Sequence, residues 1–110
     1  MNFRLDQRSG AMIAVLEGDI DLQQAPKLRR TLLDGLLEKT DMIVDLGGVT
    51  YIDSSGIACL VEAFQTARKN GAYFALASVS AGAMRVLELS RLDMVFTIRA
   101  NIDDALAERG

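Results

Sequence analysis

The stretch Met42-Ile43-Val44-Asp45-Leu46-Gly47-Gly48-Val49-Thr50-Tyr51-Ile52-Asp53-Ser54-Ser55-Gly56-Ile57 changes its hydrophobic period part-way along. Met42 to Leu46 is a short apolar run with β-branched Ile43 and Val44, which predicts a buried strand, and Gly47-Gly48 breaks the pattern and marks its exit. Val49 to Ile52 is a further extended segment. Beyond it Ile57, Leu60, Val61 and Phe64 recur at i, i+3, i+4 and i+7, the spacing of one helix face. That helix should run to Asn70, with Gly71 as its stop. A buried strand that feeds a helix through a polar Asp-Ser-Ser-Gly turn is a unit of an α/β fold.

The flanking sequence repeats the theme. Upstream, Phe3 to Leu5 and Met12 to Leu16 are apolar runs separated by Ser9-Gly10, which predicts a hairpin. Gln23 to Lys39 places Ala25, Leu28, Leu32 and Leu36 on one helical face, reinforced by Leu33 and Leu37. Pro26 belongs in the first turn, so the helix should start near Gln23 or Gln24, with Asp21 preceding it. Downstream, Tyr73 to Ala77 reads as strand, Ser80 as the cap of a helix carrying Met84, Val86 and Leu87, Val95 to Ile98 as strand, and Ile102 to Arg109 as a last helix. Strand and helix in alternation require crossover connections. The expected fold is therefore one α/β domain over residues 1–110, with a mixed, mostly parallel sheet, an N-terminal antiparallel hairpin and about four helices.

Composition removes several chemistries. The 110 residues carry 12 Lys+Arg against 15 Asp+Glu, a net charge of −3, so there is no basic stripe for nucleic acid. No histidine is present, which removes Ser-His-Asp and Cys-His nucleophile systems and imidazole metal ligands. The single Cys59 cannot form an intramolecular disulfide, and its apolar neighbours predict a buried, inert thiol in a reducing compartment. Met1 to Gly10 lacks a signal-peptide core and no apolar run is long enough to span a bilayer, so a cytoplasmic location without membrane insertion is expected.

Chemistry concentrates at Asp53-Ser54-Ser55-Gly56. On spacing alone the favoured reading is a helix cap, with Ser54 or Asp53 accepting from the first free amides and Gly56 easing the turn. A nucleophilic serine lacks both the Gly-x-Ser-x-Gly elbow and a histidine. A small enzyme built on Ser54 with Asp19 and Asp21 is accordingly the most distant reading. A third possibility is a phosphoacceptor hydroxyl at a helix N-terminus, where a phosphate is held without unfolding the chain. A second acidic cluster, Glu17-Gly18-Asp19-Ile20-Asp21, closes the second predicted strand. If strand-like, its carboxylates share a face, as a docking surface rather than a metal site, since no EF-hand spacing accompanies them. No phosphate-cradling glycine pattern is present, and no cofactor is expected.

Leu16-Glu17-Gly18-Asp19-Ile20-Asp21, then Ile43-Val44-Asp45-Leu46, then Val49 to Ile57 with its Asp-Ser-Ser-Gly, resemble the STAS domain of anti-sigma factor antagonists. The likeness continues through Arg68-Lys69-Asn70-Gly71, Phe74-Ala75-Leu76 and Val86-Leu87-Glu88-Leu89-Ser90-Arg91-Leu92, and so covers nearly the whole chain. The resemblance implies a non-enzymatic, partner-switching protein. Unmodified, it binds an anti-sigma factor that is also a serine kinase; the kinase uses its own ATP to phosphorylate the serine after the motif's aspartate, here Ser54; a phosphatase restores it. The same resemblance implies that Asp21 and Asp53 contact the partner or orient the site and that Ser55 and Gly56 shape the helix start, while Asp19, from the acidic cluster, is expected in the same partner-binding surface. Ala58-Cys59-Leu60-Val61-Glu62-Ala63 departs from the pattern, because many antagonists have a second glycine there. STAS-like subunits of bacterial ABC-type lipid transporters look similar in this region, which makes a transporter permease or ATPase the alternative partner.

Overall fold

The computed structural model describes residues 2–37 and 40–109. Its five-stranded sheet has the order β1-β2-β3-β4-β5. Strand β1 (Asn2–Arg8) pairs antiparallel with β2 (Ala11–Ile20), and Ser9 and Gly10 both take positive φ in the tight turn between them. The remaining neighbours, β2 with β3 (Asp41–Ile52), β3 with β4 (Phe74–Ala77) and β4 with β5 (Ile98–Arg99), are parallel. Between them lie α1 (Ala25–Gly35), α2 (Ser54–Lys69) and α3 (Ala81–Leu89), and α4 (Ile102–Arg109) closes the chain. This is the expected mixed α/β sheet with an antiparallel hairpin and four helices among the described residues.

Strand alternation sorts the core into two layers. Ala14, Leu16, Met42, Val44, Phe74 and Leu76 pack with Leu28 and Leu32 of α1, Leu60 and Ala63 of α2, and Ala83 and Leu87 of α3. On the other face Ala11, Ile13, Ile43, Ala75 and Ala77 pack against Ala105 of α4. The small strand residues there leave room for a short helix to lie close. Phe64, Phe74 and Phe96 tie the larger layer together, with the Phe64 and Phe96 rings edge-on at 5.5 Å.

Three element boundaries differ from expectation. Gly47 and Gly48 do not end the strand; β3 runs through them for 12 residues. Between paired positions Val15–Asp45 and Glu17–Gly48, β3 carries an extra residue, and it does so again between Val49 and Tyr51. A Cβ on Gly48 would lie 2.8 Å from Glu17 Cγ, so the glycine lets β3 pass close to its partner Glu17 where pairing resumes after the first bulge. Helix α1 is described as helix only to Gly35, and the last residues of the longer expected helix, Glu38 and Lys39, lie outside the described residues. The strand expected at Val95 to Ile98 is displaced: Leu92–Met94 forms a 3₁₀ turn, Phe96 enters the core, and pairing is confined to Ile98–Arg99.

Candidate functional site

The two bulges lengthen β3 so that it ends level with β2. Ile20 and Ile52 are paired, and the Asp53 amide donates to the Ile20 carbonyl at 3.1 Å. Asp21 and Asp53 are therefore the first residues beyond the C-terminal ends of two adjacent parallel strands, where α/β sheets present their functional groups. Each turns the chain into a helix. Asp21 Oδ1 accepts from the Gln23 and Gln24 amides at 3.1 and 3.3 Å, just ahead of α1 and Pro26. Asp53 Oδ1 accepts from the Ser55 and Gly56 amides at 2.9 and 3.2 Å and is the N-cap of α2.

Of the two capping candidates read from the sequence, Ser54 and Asp53, it is Asp53 that caps the helix. Ser54 is the first residue of α2; it is exposed, and its side chain makes no hydrogen bond to the described residues. Asp53 does the capping, so the Ser54 hydroxyl is available. Ser55 is half-buried beside it. Gly56 is buried, and a Cβ there would lie 2.7 Å from Ile20 Cγ2 and 2.8 Å from Ile52 Cγ1. The missing side chain thus lets the first turn of α2 settle onto the two strand ends.

The earlier acidic cluster is not a flat strand face. Gly18 has φ +87 and the register shifts between it and Asp19, so alternation fails there. Asp19 is exposed and accepts from the Thr50 hydroxyl at 2.5 Å, while Asp21 is occupied with its turn. Among the described residues no group of three His, Cys, Asp or Glu side chains is placed to hold a metal ion.

Two large apolar side chains are exposed at this corner: Tyr51, which the sequence reading placed only in the extended segment, and Leu22, which it did not single out. Leu22 is 72% exposed and Tyr51 53%. A groove of about 500 Å³ opens along α1 from Leu22, Ala25 and Pro26 to Leu33, with Cys59 at its α2 side. Leu22 was legible only as one more leucine ahead of a helix; nothing local says that the Asp21 turn throws it outward. The Cys59 thiol is buried, donates to the Ala25 carbonyl at 3.3 Å, and is pushed above its usual pKa chiefly by burial and then by nearby Glu62. Arg29, also in the groove wall, grips Glu62 through two hydrogen bonds of 2.7 and 2.8 Å, which holds the Glu62 carboxyl below its ordinary range. Thus α1 and α2 are tied together beside the corner by one thiol and one bidentate ion pair.

Fold and corner together define a small α/β module with an exposed serine and two exposed apolar side chains at the end of its parallel strands. The chain belongs to the STAS domain family, whose profile matches residues 2–105. It is 28% identical over 102 residues to the anti-sigma-B factor antagonist of Bacillus subtilis, covering 91% of this chain and 94% of that protein. An anti-sigma factor antagonist from Mycobacterium paratuberculosis superposes with a TM-score of 0.89 at 22% identity, covering 97% of this chain and 92% of the other. The Bacillus cell fate determinant SpoIIAA, in a structure of its phosphorylated form, superposes with a TM-score of 0.76 at 16% identity over 99% of this chain and 100% of the other. Among the described residues no helix is long and apolar enough to cross a membrane.

Proposed function

We propose that this protein is an anti-sigma factor antagonist whose docking corner is switched by phosphorylation of Ser54. The observation that carries the reading is the separation of roles at the start of α2: Asp53 satisfies the first amides, and the neighbouring exposed hydroxyl is left over. A modification at Ser54 then leaves the fold standing. The docking surface comprises Ser54, Ser55 and Gly56 at the helix start, Asp19, Asp21 and Asp53 at the strand ends, and the exposed Leu22 and Tyr51 beside them. The relatives named as anti-sigma factor antagonists support this assignment.

In the unmodified state the corner presents a small hydroxyl among carboxylates that are already hydrogen-bonded. Phosphate adds a charge of roughly −1.5 to −2 and three acceptor oxygens next to the Asp53 carboxylate. A partner surface fitted to the hydroxyl then meets an uncompensated dianion beside existing negative charge, and binding is lost. The partner is an anti-sigma factor that is itself a serine kinase. It supplies ATP and the phosphoryl-transfer machinery, a phosphatase reverses the step, and this chain acts as substrate and ligand with no catalytic residue or cofactor of its own. Its working compartment is the cytoplasm, where that kinase and its ATP are found.

Incubation with ATP and the cognate serine kinase, followed by mass mapping of the peptide around Asp53 to Ser55, tests this. One phosphate on Ser54, absent in Ser54→Ala, is expected. Phosphate on Ser55 would relocate the switch. Absence of phosphate on both, with recovery of the chain in a permease or ATPase complex, would instead establish a transporter-subunit role.

A further inference from the structure

The exposed edge of the sheet carries a charge pattern that is complementary to itself. Strand β1 is an outermost strand, seven residues long and paired without a bulge along its inner side. The opposite edge, β5, has only two residues. Edge strands of this length are usually protected from pairing by charged side chains, proline, a bulge or a covering element. Here the residues on the α4 side of β1 alternate in sign, Arg4, Asp6, Arg8, while Phe3, Leu5 and Gln7 lie on the α1 side, opposite Leu16, Ala14 and Met12. Arg4 and Asp6 are paired at 3.0 Å within the strand and both are more than half exposed, and Leu5 is 37% exposed.

We infer that β1 is a self-association edge: two copies of this chain join β1 to β1 antiparallel, about a twofold axis through Leu5, to give a continuous ten-stranded sheet. A twofold axis normal to the sheet keeps each face on its own side, so only certain registers are open. With Leu5 opposite Leu5 of the second copy, Arg4 faces Asp6, Asp6 faces Arg4, Phe3 faces Gln7 and Asn2 faces Arg8. Arg4 and Asp6 of both copies then form a square of alternating charge, in which every neighbour along and across the strands is of opposite sign. The two adjacent registers are repulsive. Centring on Arg4 sets Arg4 against Arg4, and centring on Asp6 sets Asp6 against Asp6 and Arg4 against Arg8. Charge thus selects one register, and the unpaired amides and carbonyls of the edge supply the backbone ladder. The edge runs along the outside of β1, whereas Ser54 sits beyond the end of β3, so the pairing is independent of the phosphoswitch and presents two docking corners in one particle.

Sedimentation equilibrium of the full chain from about 10 μM to about 1 mM tests the pairing, over the range in which a small, ladder-type interface is populated. The expected result is a reversible monomer–dimer equilibrium. Arg4→Asp and Asp6→Arg should each raise the dissociation constant by about tenfold or more, while the double variant Arg4→Asp/Asp6→Arg regains the parental value within about threefold. Mixing the two single variants should produce a heterodimer that neither forms alone. Circular dichroism melts confirm that these exposed substitutions leave each chain folded. A wild-type chain that stays monomeric up to 1 mM, or a dimer indifferent to all three variants, would overturn the inference.

Discussion

Asp21 and Asp53 close neighbouring parallel strands in the same way, each giving one carboxylate oxygen to two amides of the segment that follows. The strands are joined at their ends by the Asp53 amide on the Ile20 carbonyl, so the two turns form one corner. The serine that follows the second aspartate inherits an exposed place at a helix start without any structural duty there.

Removal of the cap should therefore be felt, and removal of the hydroxyl should not. Asp53→Ala is expected to lower stability to urea by about 1 kcal/mol, the ordinary worth of a helix N-cap. Ser54→Ala should stay within about 0.5 kcal/mol of the parent, as for a surface position without partners. The reverse order of effects would place the cap on Ser54 after all.

Gly56→Ala tests the close approach. Within a helix this substitution ordinarily stabilises by about 1 kcal/mol, because alanine is the better helix former. Here the added methyl would meet branch atoms of Ile20 and Ile52 at 2.7 and 2.8 Å. The expected net effect is a loss of about 1–3 kcal/mol as those side chains are forced from their rotamers. An unchanged or higher denaturation midpoint would show that the contact is loose.

Tyr73 offers a test at alkaline pH. Burial, and then the hydrogen bond its hydroxyl donates to Glu108 at 2.7 Å, push the phenol up to about 12. The folded state thus holds this proton more tightly than the unfolded one. Its stabilising contribution is complete below the unfolded phenol's pKa near 10 and is lost as pH rises through about 12. Ultraviolet titration of a Tyr51→Phe variant, which isolates Tyr73, should give a midpoint near 12; a midpoint at the ordinary value would deny the contact.

Cys59 should be slow to react with a thiol-specific disulfide reagent in the native state, where it is buried, and fast once urea unfolds the chain. Burial raises its pKa, so the thiolate is scarce at neutral pH, and the sulfur is held on the Ala25 carbonyl. The protein should also lose stability as pH rises past the usual thiol value towards the raised one. Rapid modification without denaturant would contradict the packing of α1 on α2.

Much of this was legible in the chain itself. The apolar faces of α1 and α2 came from spacing alone, because those helices bury one side against a common layer, and the turn at Ser9-Gly10 came from residue type, since such a pair tolerates the positive φ both residues adopt. Gly47-Gly48 misled because a glycine pair interrupts hydrophobicity whether it ends a strand or bulges it; the difference lies in the contact with Glu17 across the sheet. Val95 misled because it is β-branched beside Phe96, yet the core takes only Phe96 and leaves Val95 half exposed. At the corner, Asp53 and Ser54 are both good capping residues. The choice is made by the extended backbone at Asp53, with φ −102 and ψ −175, which follows from the length of β3 and the hydrogen bond to Ile20.

Calorimetric titration of the proposed anti-sigma factor kinase with unmodified and with Ser54-phosphorylated protein isolates the effect of the charge at Ser54 on docking. At least a tenfold weaker complex is expected after phosphorylation, a loss of about 1.4 kcal/mol or more, with the phosphorylated chain still folded. Equal affinity in the two states would contradict the proposed switch.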